Sequence, residues 1–96
     1  ENRLIKPDIA APGVNIMTTV VGGGYRTQTG TSFATPFVTG SAALLMEFGI
    51  VKGNDLYLYG EKVKAYLIRG ARHLLIEPYP NQLLGWGALC LKNSIP

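Results

Sequence analysis

The residue best placed to do chemistry in this chain is Ser32, set in Gly30-Thr31-Ser32-Phe33-Ala34-Thr35-Pro36. A small polar turn carrying a hydroxyl runs straight into an apolar segment, residues 37–46. A serine at the N-terminus of a helix lies beside free N–H groups and a partial positive charge. Attack of its oxygen on a carbonyl would raise an oxyanion next to those groups. A triad would also draw on a histidine and an acid, and the residues on offer are His73, Asp8 and Asp55. Cys90 lies in the apolar run Ala88-Leu89-Cys90-Leu91 and reads as a buried, inert thiol. Asn54 and Asp55 are too few hard ligands to hold calcium, so no metal or other cofactor is expected.

The elements that must position Ser32 follow from the pattern around it. From Ser32 to Phe48 the only charge is Glu47. A helix over that stretch would run about five turns, roughly 25 Å. Phe33, Phe37, Val38, Ala42, Leu44, Leu45, Met46 and Phe48 spread around its whole circumference. A helix that is apolar all round is expected to be buried on every side. It reads as too short and too rich in Ser, Thr and Gly to span a membrane. Thr31 or Ser32 can cap it, Pro36 suits its first turn, and Gly49 suits its C-terminal stop. Upstream, residues 9–11 read as a buried strand or its end, and Pro12-Gly13 as a turn. Residues 14–21 and 25–29, separated by Gly22-Gly23-Gly24, predict a β-hairpin leading into Gly30. A phosphate-cradling role for that glycine loop lacks the following Lys-Ser/Thr and helix. Downstream, Val63, Tyr66 and Leu67 predict a second, amphipathic helix over residues 60–69, with Lys62, Lys64 and Arg69 on a solvated face. Residues 83–91 read as a terminal strand or extended segment.

The run from Gly30 to Gly40 resembles the nucleophile segment of the subtilisin-like serine proteases. That pattern is Gly-Thr-Ser-x-Ala-x-Pro-x-Val-x-Gly, and Gly30, Thr31, Ser32, Ala34, Pro36, Val38 and Gly40 fill every fixed position. Lys6-Pro7-Asp8-Ile9-Ala10-Ala11-Pro12-Gly13 resembles the strand and turn that precede it, and Gly85-Trp86-Gly87-Ala88-Leu89 the close of the domain. Met46-Glu47-Phe48-Gly49-Ile50-Val51 and residues 64–71 are similar to the subtilases of anaerobic clostridia, a group similar to the proteases and pseudoproteases of spore germination. The resemblance implies an α/β fold, the C-terminal portion of a three-layer αβα domain. It implies that Ser32 attacks the scissile carbonyl of a peptide or protein substrate. The Ser32 backbone N–H would help hold the oxyanion, with Gly30 and Thr31 supporting the nucleophile loop. Phe33 stands where many members have Met and would border the substrate cleft. Ala34 and Gly40 read as small residues for close packing. A secreted, cell-envelope or spore-associated bacterial location is also implied.

The same resemblance excludes other residues. Its triad runs Asp, His, Ser, whereas His73 follows Ser32 and reads as a loop residue after a helix. Asp8 lies outside the family's aspartate motif and reads as structural. Neither triad partner, nor the side-chain oxyanion donor, is matched. Ser32, Asp55 and His73 do fall in the order of the α/β-hydrolases. Against that fold, Ala34 replaces the last glycine of its elbow, the preceding strand is polar, and only 17 residues, containing a helix, separate Asp55 from His73.

The chain has 96 residues, 47% of them apolar and 16% charged. So short a chain encloses little volume and can hardly wall in a helix on all sides. With Glu1 in first position, the expectation is the C-terminal segment of one catalytic domain. Its absent part would supply Asp and His, so the segment alone would be inactive. It would be stable only with that part or by self-association over residues 32–48. The net charge of +3 comes from scattered basic residues, which gives no support for nucleic-acid binding. Two functions stay open: an endopeptidase acting through Ser32, and a pseudoprotease that keeps the fold as a regulatory binding module.

Overall fold

The computed structural model describes residues 5–74 and 78–96. The expected approach at residues 1–5 and the loop at 77–81 lie partly outside them. The elements are β1 (Ile16–Thr19), β2 (Tyr25–Gln28), α1 (Thr31–Met46), a π-turn (Glu47–Val51), α2 (Glu61–Arg69) and a single turn, α3 (Leu91–Ser94). Strands β1 and β2 pair antiparallel, Ile16 opposite Gln28 and Thr19 opposite Tyr25. The β-branched run up to Val21 and the Gly22-Gly23-Gly24 loop form this hairpin as expected.

Helix α1 is capped by the backbone of Gly30, with no side-chain cap bond, so neither Thr31 nor Ser32 caps it. Both are already helical. Pro36 sits inside the helix, beyond its first turn. It therefore offers no N–H to the Ser32 carbonyl four residues before it. The helix does not stop at Gly49. It continues through the π-turn, where the Lys52 N–H donates to the Glu47 carbonyl at 3.0 Å. Gly49 serves a close approach instead: a Cβ there would lie 2.7 Å from Leu58 Cβ and 2.8 Å from the Asp55 carbonyl oxygen.

The core is Leu45 and Leu58, both fully buried, with Val63 and Leu67. Ile9, Val38, Ala42, Phe48, Tyr66, Leu89 and Leu91 pack against it. Val63 and Leu67 of α2 face inward as their spacing predicts. Its cations are exposed but not simply solvated. Lys62 pairs with Asp55, Lys64 lies 3.2 Å from Asp8, and Arg69 lies over the Tyr66 ring at 4.4 Å.

The expected terminal strand over residues 83–91 is replaced by bridges at single residues. Ala88 pairs in parallel with Ala10 and antiparallel with Arg72. The Ala10 N–H donates to Gly87 O at 3.0 Å, and the Leu89 N–H to Ala10 O at 2.7 Å. Gly85 and Gly87 break the extended run, with φ of 61° and 130°. α3 follows, and Cys90 at its start is half-buried rather than enclosed.

Helix α1 is not buried on every side. Among its residues only Ser41 and Leu45 are buried, while Phe37, Leu44 and Met46 are exposed. Among the described residues, nothing covers these three side chains fully. The radius of gyration is 15.0 Å, against about 12.5 Å for a compact chain of this length. The accessible surface is 6858 Å², against about 5400 Å² for a folded monomer of this mass. With the π-turn, Thr31–Val51 is 21 residues long, enough in length and apolar character to cross a membrane. The sequence reading ended it at Phe48, three residues earlier.

Candidate active site

Ser32 lies in the first turn of α1 and is solvent-exposed. Among the described residues its Oγ makes no hydrogen bond, and no backbone carbonyl accepts from its N–H. The first-turn N–H groups of a helix have no partner within the helix. The Phe33 N–H is already used, donating to Gly30 O at 3.1 Å. A free N–H and an open hydroxyl on the same residue, at the positive end of a 16-residue helix, suit attack on a carbonyl and retention of the resulting oxyanion.

The loop that presents Ser32 is held by the turn at residues 12–15. The Gly30 N–H donates to the Gly13 carbonyl at 2.7 Å. The Asn15 N–H donates to Thr29 Oγ1 at 3.0 Å. Gly30 has φ 155° and ψ 161°, a conformation that a side chain rarely adopts. A Cβ on Gly13 would lie 2.9 Å from Gly30 O and 3.3 Å from Ala34 Cβ. Ala34 is thus small because Gly13 packs on it. Gly40 meets nothing within 4 Å, so its expected packing partner is not among the described residues. Thr35 Oγ1 donates to Thr31 O at 3.1 Å, within the same turn of α1.

Phe33 is half-buried and lines a groove of about 280 Å³ with Ile16, Met17, Thr18, Pro36 and Phe37. It faces the hairpin. A second groove, about 340 Å³, opens on another face of α1 between Thr31, Ala34, Val38 and residues 9–11.

The acids and the histidine are not brought to Ser32 by any hydrogen bond among the described residues. The Asp8 carboxylate binds Lys6 at 3.0 Å and Lys64 at 3.2 Å, and these bonds hold its pKa below the ordinary carboxylate value. The Asp8 carbonyl accepts from the Trp86 N–H at 2.9 Å, a structural use of the residue. Asp55 is likewise lowered by Lys62 and by the Tyr57 N–H, and Lys62 is raised in return. The His73 ring stacks on Tyr79 with centroids 3.8 Å apart, outside any helix. The sequence reading missed Thr29, Asn15 and the role of Gly13. Only the turn chemistry of Pro12-Gly13 pointed to that region.

The subtilase family pattern matches residues 1–87. The chain belongs to the subtilase family. Relatives and neighbours agree. The chain is similar to the PII-type proteinase of Lactococcus lactis subsp. cremoris, at 46% identity over 63 residues, 66% of this chain and 3% of that protein. It is 34% identical to the minor extracellular protease Vpr of Bacillus subtilis (strain 168), covering 96% of this chain and 12% of Vpr. Among solved structures it resembles the Clostridium perfringens CspB protease at 52% identity and a TM-score of 0.91, over 95% of this chain and 19% of that one. The subtilase chain described here thus spans a small fraction of the length of these proteins. The likeness to a clostridial subtilase agrees with the resemblance in residues 46–51 and 64–71.

Proposed function

We propose that this chain is the C-terminal segment of a subtilase catalytic domain, and that Ser32 is the nucleophile of an endopeptidase. The exposed Ser32 hydroxyl beside its own free N–H, at the start of α1, carries the reading. In the intact protein, a histidine outside this chain removes the Ser32 proton as Oγ attacks the scissile carbonyl. The Ser32 N–H stabilises the oxyanion, the amine leaves with the proton returned by that histidine, and water then releases the acyl group. An aspartate, also outside this chain, orients the histidine. Gly30 and Thr31 set the geometry of the loop, and Phe33 borders the leaving-group side of the cleft. Peptide or protein substrates and a secreted or envelope-associated place follow from the same family reading.

The test is peptide hydrolysis by the intact protein and its Ser32→Ala variant. In subtilisin, loss of the serine costs about 10⁶ in turnover. A loss of that order is expected, with no hydrolysis by residues 1–96 alone. An intact protein that hydrolyses no peptide, or a Ser32→Ala variant that retains turnover, overturns the reading. The former result would leave a binding module that keeps the fold.

A further inference from the structure

The sequence Gly-Thr-Ser does not by itself fix where the Ser32 N–H points. That direction depends on the peptide units of Thr29 and Gly30, which enter the helix. Two hydrogen bonds join those units to the turn at residues 12–15. One runs from the Gly30 N–H to Gly13 O, 2.7 Å, and the other from the Asn15 N–H to Thr29 Oγ1, 3.0 Å. The first is backbone to backbone and survives any substitution that keeps the chain path. The second depends on a side chain, and Thr29 is the only residue that supplies it.

The conformation of Asn15 makes that second bond consequential. Asn15 has φ 54°, the one non-glycine residue with positive φ among the described residues. The left-handed region is unfavourable for an L-residue, and Asn tolerates it better than most. Such a conformation persists where neighbouring bonds over-determine it. The Asn15 N–H is taken by Thr29 Oγ1, which fixes the peptide plane entering that residue. The turn in turn carries Gly13, packed against Gly30 O and Ala34 with no room for a Cβ. Gly30 O then receives the Phe33 N–H, leaving the Ser32 N–H as the free donor.

We propose that Thr29 is a positioning residue for Ser32: its hydroxyl locks the turn at residues 12–15 against the nucleophile loop and so aims the Ser32 N–H and Oγ. It acts through the Asn15 N–H, Gly13 and Gly30. The inference rests on the reading of Ser32 as nucleophile.

The experiment uses the intact protein and four forms: wild type, Thr29→Val, Thr29→Ser and Ser32→Ala. Thr29→Val keeps the shape and removes the acceptor, and Thr29 is exposed, so little packing is disturbed. Turnover and KM are measured with a peptide substrate, alongside the melting temperature. Thr29→Val is expected to lower kcat about tenfold with KM within about twofold, because small displacements of an attacking group are costly in rate. Thr29→Ser keeps an acceptor oxygen and restores most of kcat. Wild-type turnover in Thr29→Val, or a Thr29→Ser variant as slow as Thr29→Val, overturns the proposal. A loss of kcat that only tracks a fall in melting temperature also overturns it. Ser32→Ala separates the two readings. If it retains turnover, the nucleophile assignment has failed, whereas an inactive Ser32→Ala with an unaffected Thr29→Val rejects Thr29 alone.

Discussion

Gly13 and Ala34 meet face to face beneath the loop that leads into Ser32: a Cβ placed on Gly13 would lie 3.3 Å from Ala34 Cβ and 2.9 Å from the Gly30 carbonyl oxygen. The second distance is to backbone, which cannot swing aside. Gly13→Ala should therefore push the 12–15 turn off Gly30. Overpacking of this kind costs about 1–3 kcal/mol. The expected outcome in the intact protein is a lower melting temperature with a fall in kcat. Unchanged values of both would show that the loop has slack at this contact.

Gly49 makes a comparable prediction away from the site. Its missing Cβ leaves room for Leu58 Cβ and Asp55 O at 2.7 and 2.8 Å. Gly49→Ala should destabilise the intact protein by about 1–3 kcal/mol through displacement of the buried Leu58. Denaturant unfolding reads this directly. Turnover per folded molecule should be preserved, because the π-turn lies at the far end of α1 from Ser32.

Gly40 tests whether α1 is covered in the intact protein. Among the described residues, a Cβ at Gly40 would meet nothing within 4 Å. On an open helix face, Gly→Ala stabilises by roughly 0.5–1 kcal/mol. Residues 1–96 alone should thus gain helicity by circular dichroism with Gly40→Ala. If the proposed domain covers α1, the intact protein should instead lose stability with the same change. A gain in both would contradict the buried placement of α1. Sedimentation of residues 1–96 should likewise show self-association rather than a compact monomer.

The Asp8 carboxylate sets a pH dependence of stability. Its folded pKa lies below the unfolded value of about 3.9 because Lys6, and then Lys64, hydrogen-bond the charged form. A depressed carboxylate binds fewer protons folded than unfolded. Its stabilisation is present above the unfolded pKa and is lost as pH falls through the folded one. Asp8→Asn should flatten the melting temperature below about pH 4, with little change in slope near neutrality. Both partners are exposed, so the effect should shrink in high salt. A variant as acid-sensitive as the wild type would show that Asp8 contributes nothing to it.

The hairpin, α2 and the position of Ser32 at a helix start were all legible in local pattern. β-branched residues flanking Gly22-Gly23-Gly24 and the 3–4 spacing of Val63, Tyr66 and Leu67 are short-range signals. Other features depend on contacts that local pattern does not carry. Residues 83–91 were expected as a strand because they are apolar. Their partners are Ala10 and Arg72, one of them far off in sequence, and Gly85 and Gly87 confine pairing to single residues. Gly49 looked like a helix stop because the need for it, Leu58 close overhead, lies nine residues on. The all-round apolar surface of α1 reads as buried on every side, yet among the described residues only Ser41 and Leu45 of that helix are buried, because burial depends on what packs against a helix and not on its own pattern. The Ser32 loop followed the same division: the motif was legible, while its bracing by Gly13, Asn15 and Thr29 was not.

Covalent labelling tests the central claim most directly. The intact protein is treated with a fluorophosphonate, which phosphonylates an activated serine with loss of fluoride, then digested with trypsin and mapped by mass spectrometry. The label should appear on the peptide spanning residues 27–52, at Ser32, and be absent from the Ser32→Ala variant. A label on another serine, or peptide hydrolysis with Ser32 unmodified, would contradict it.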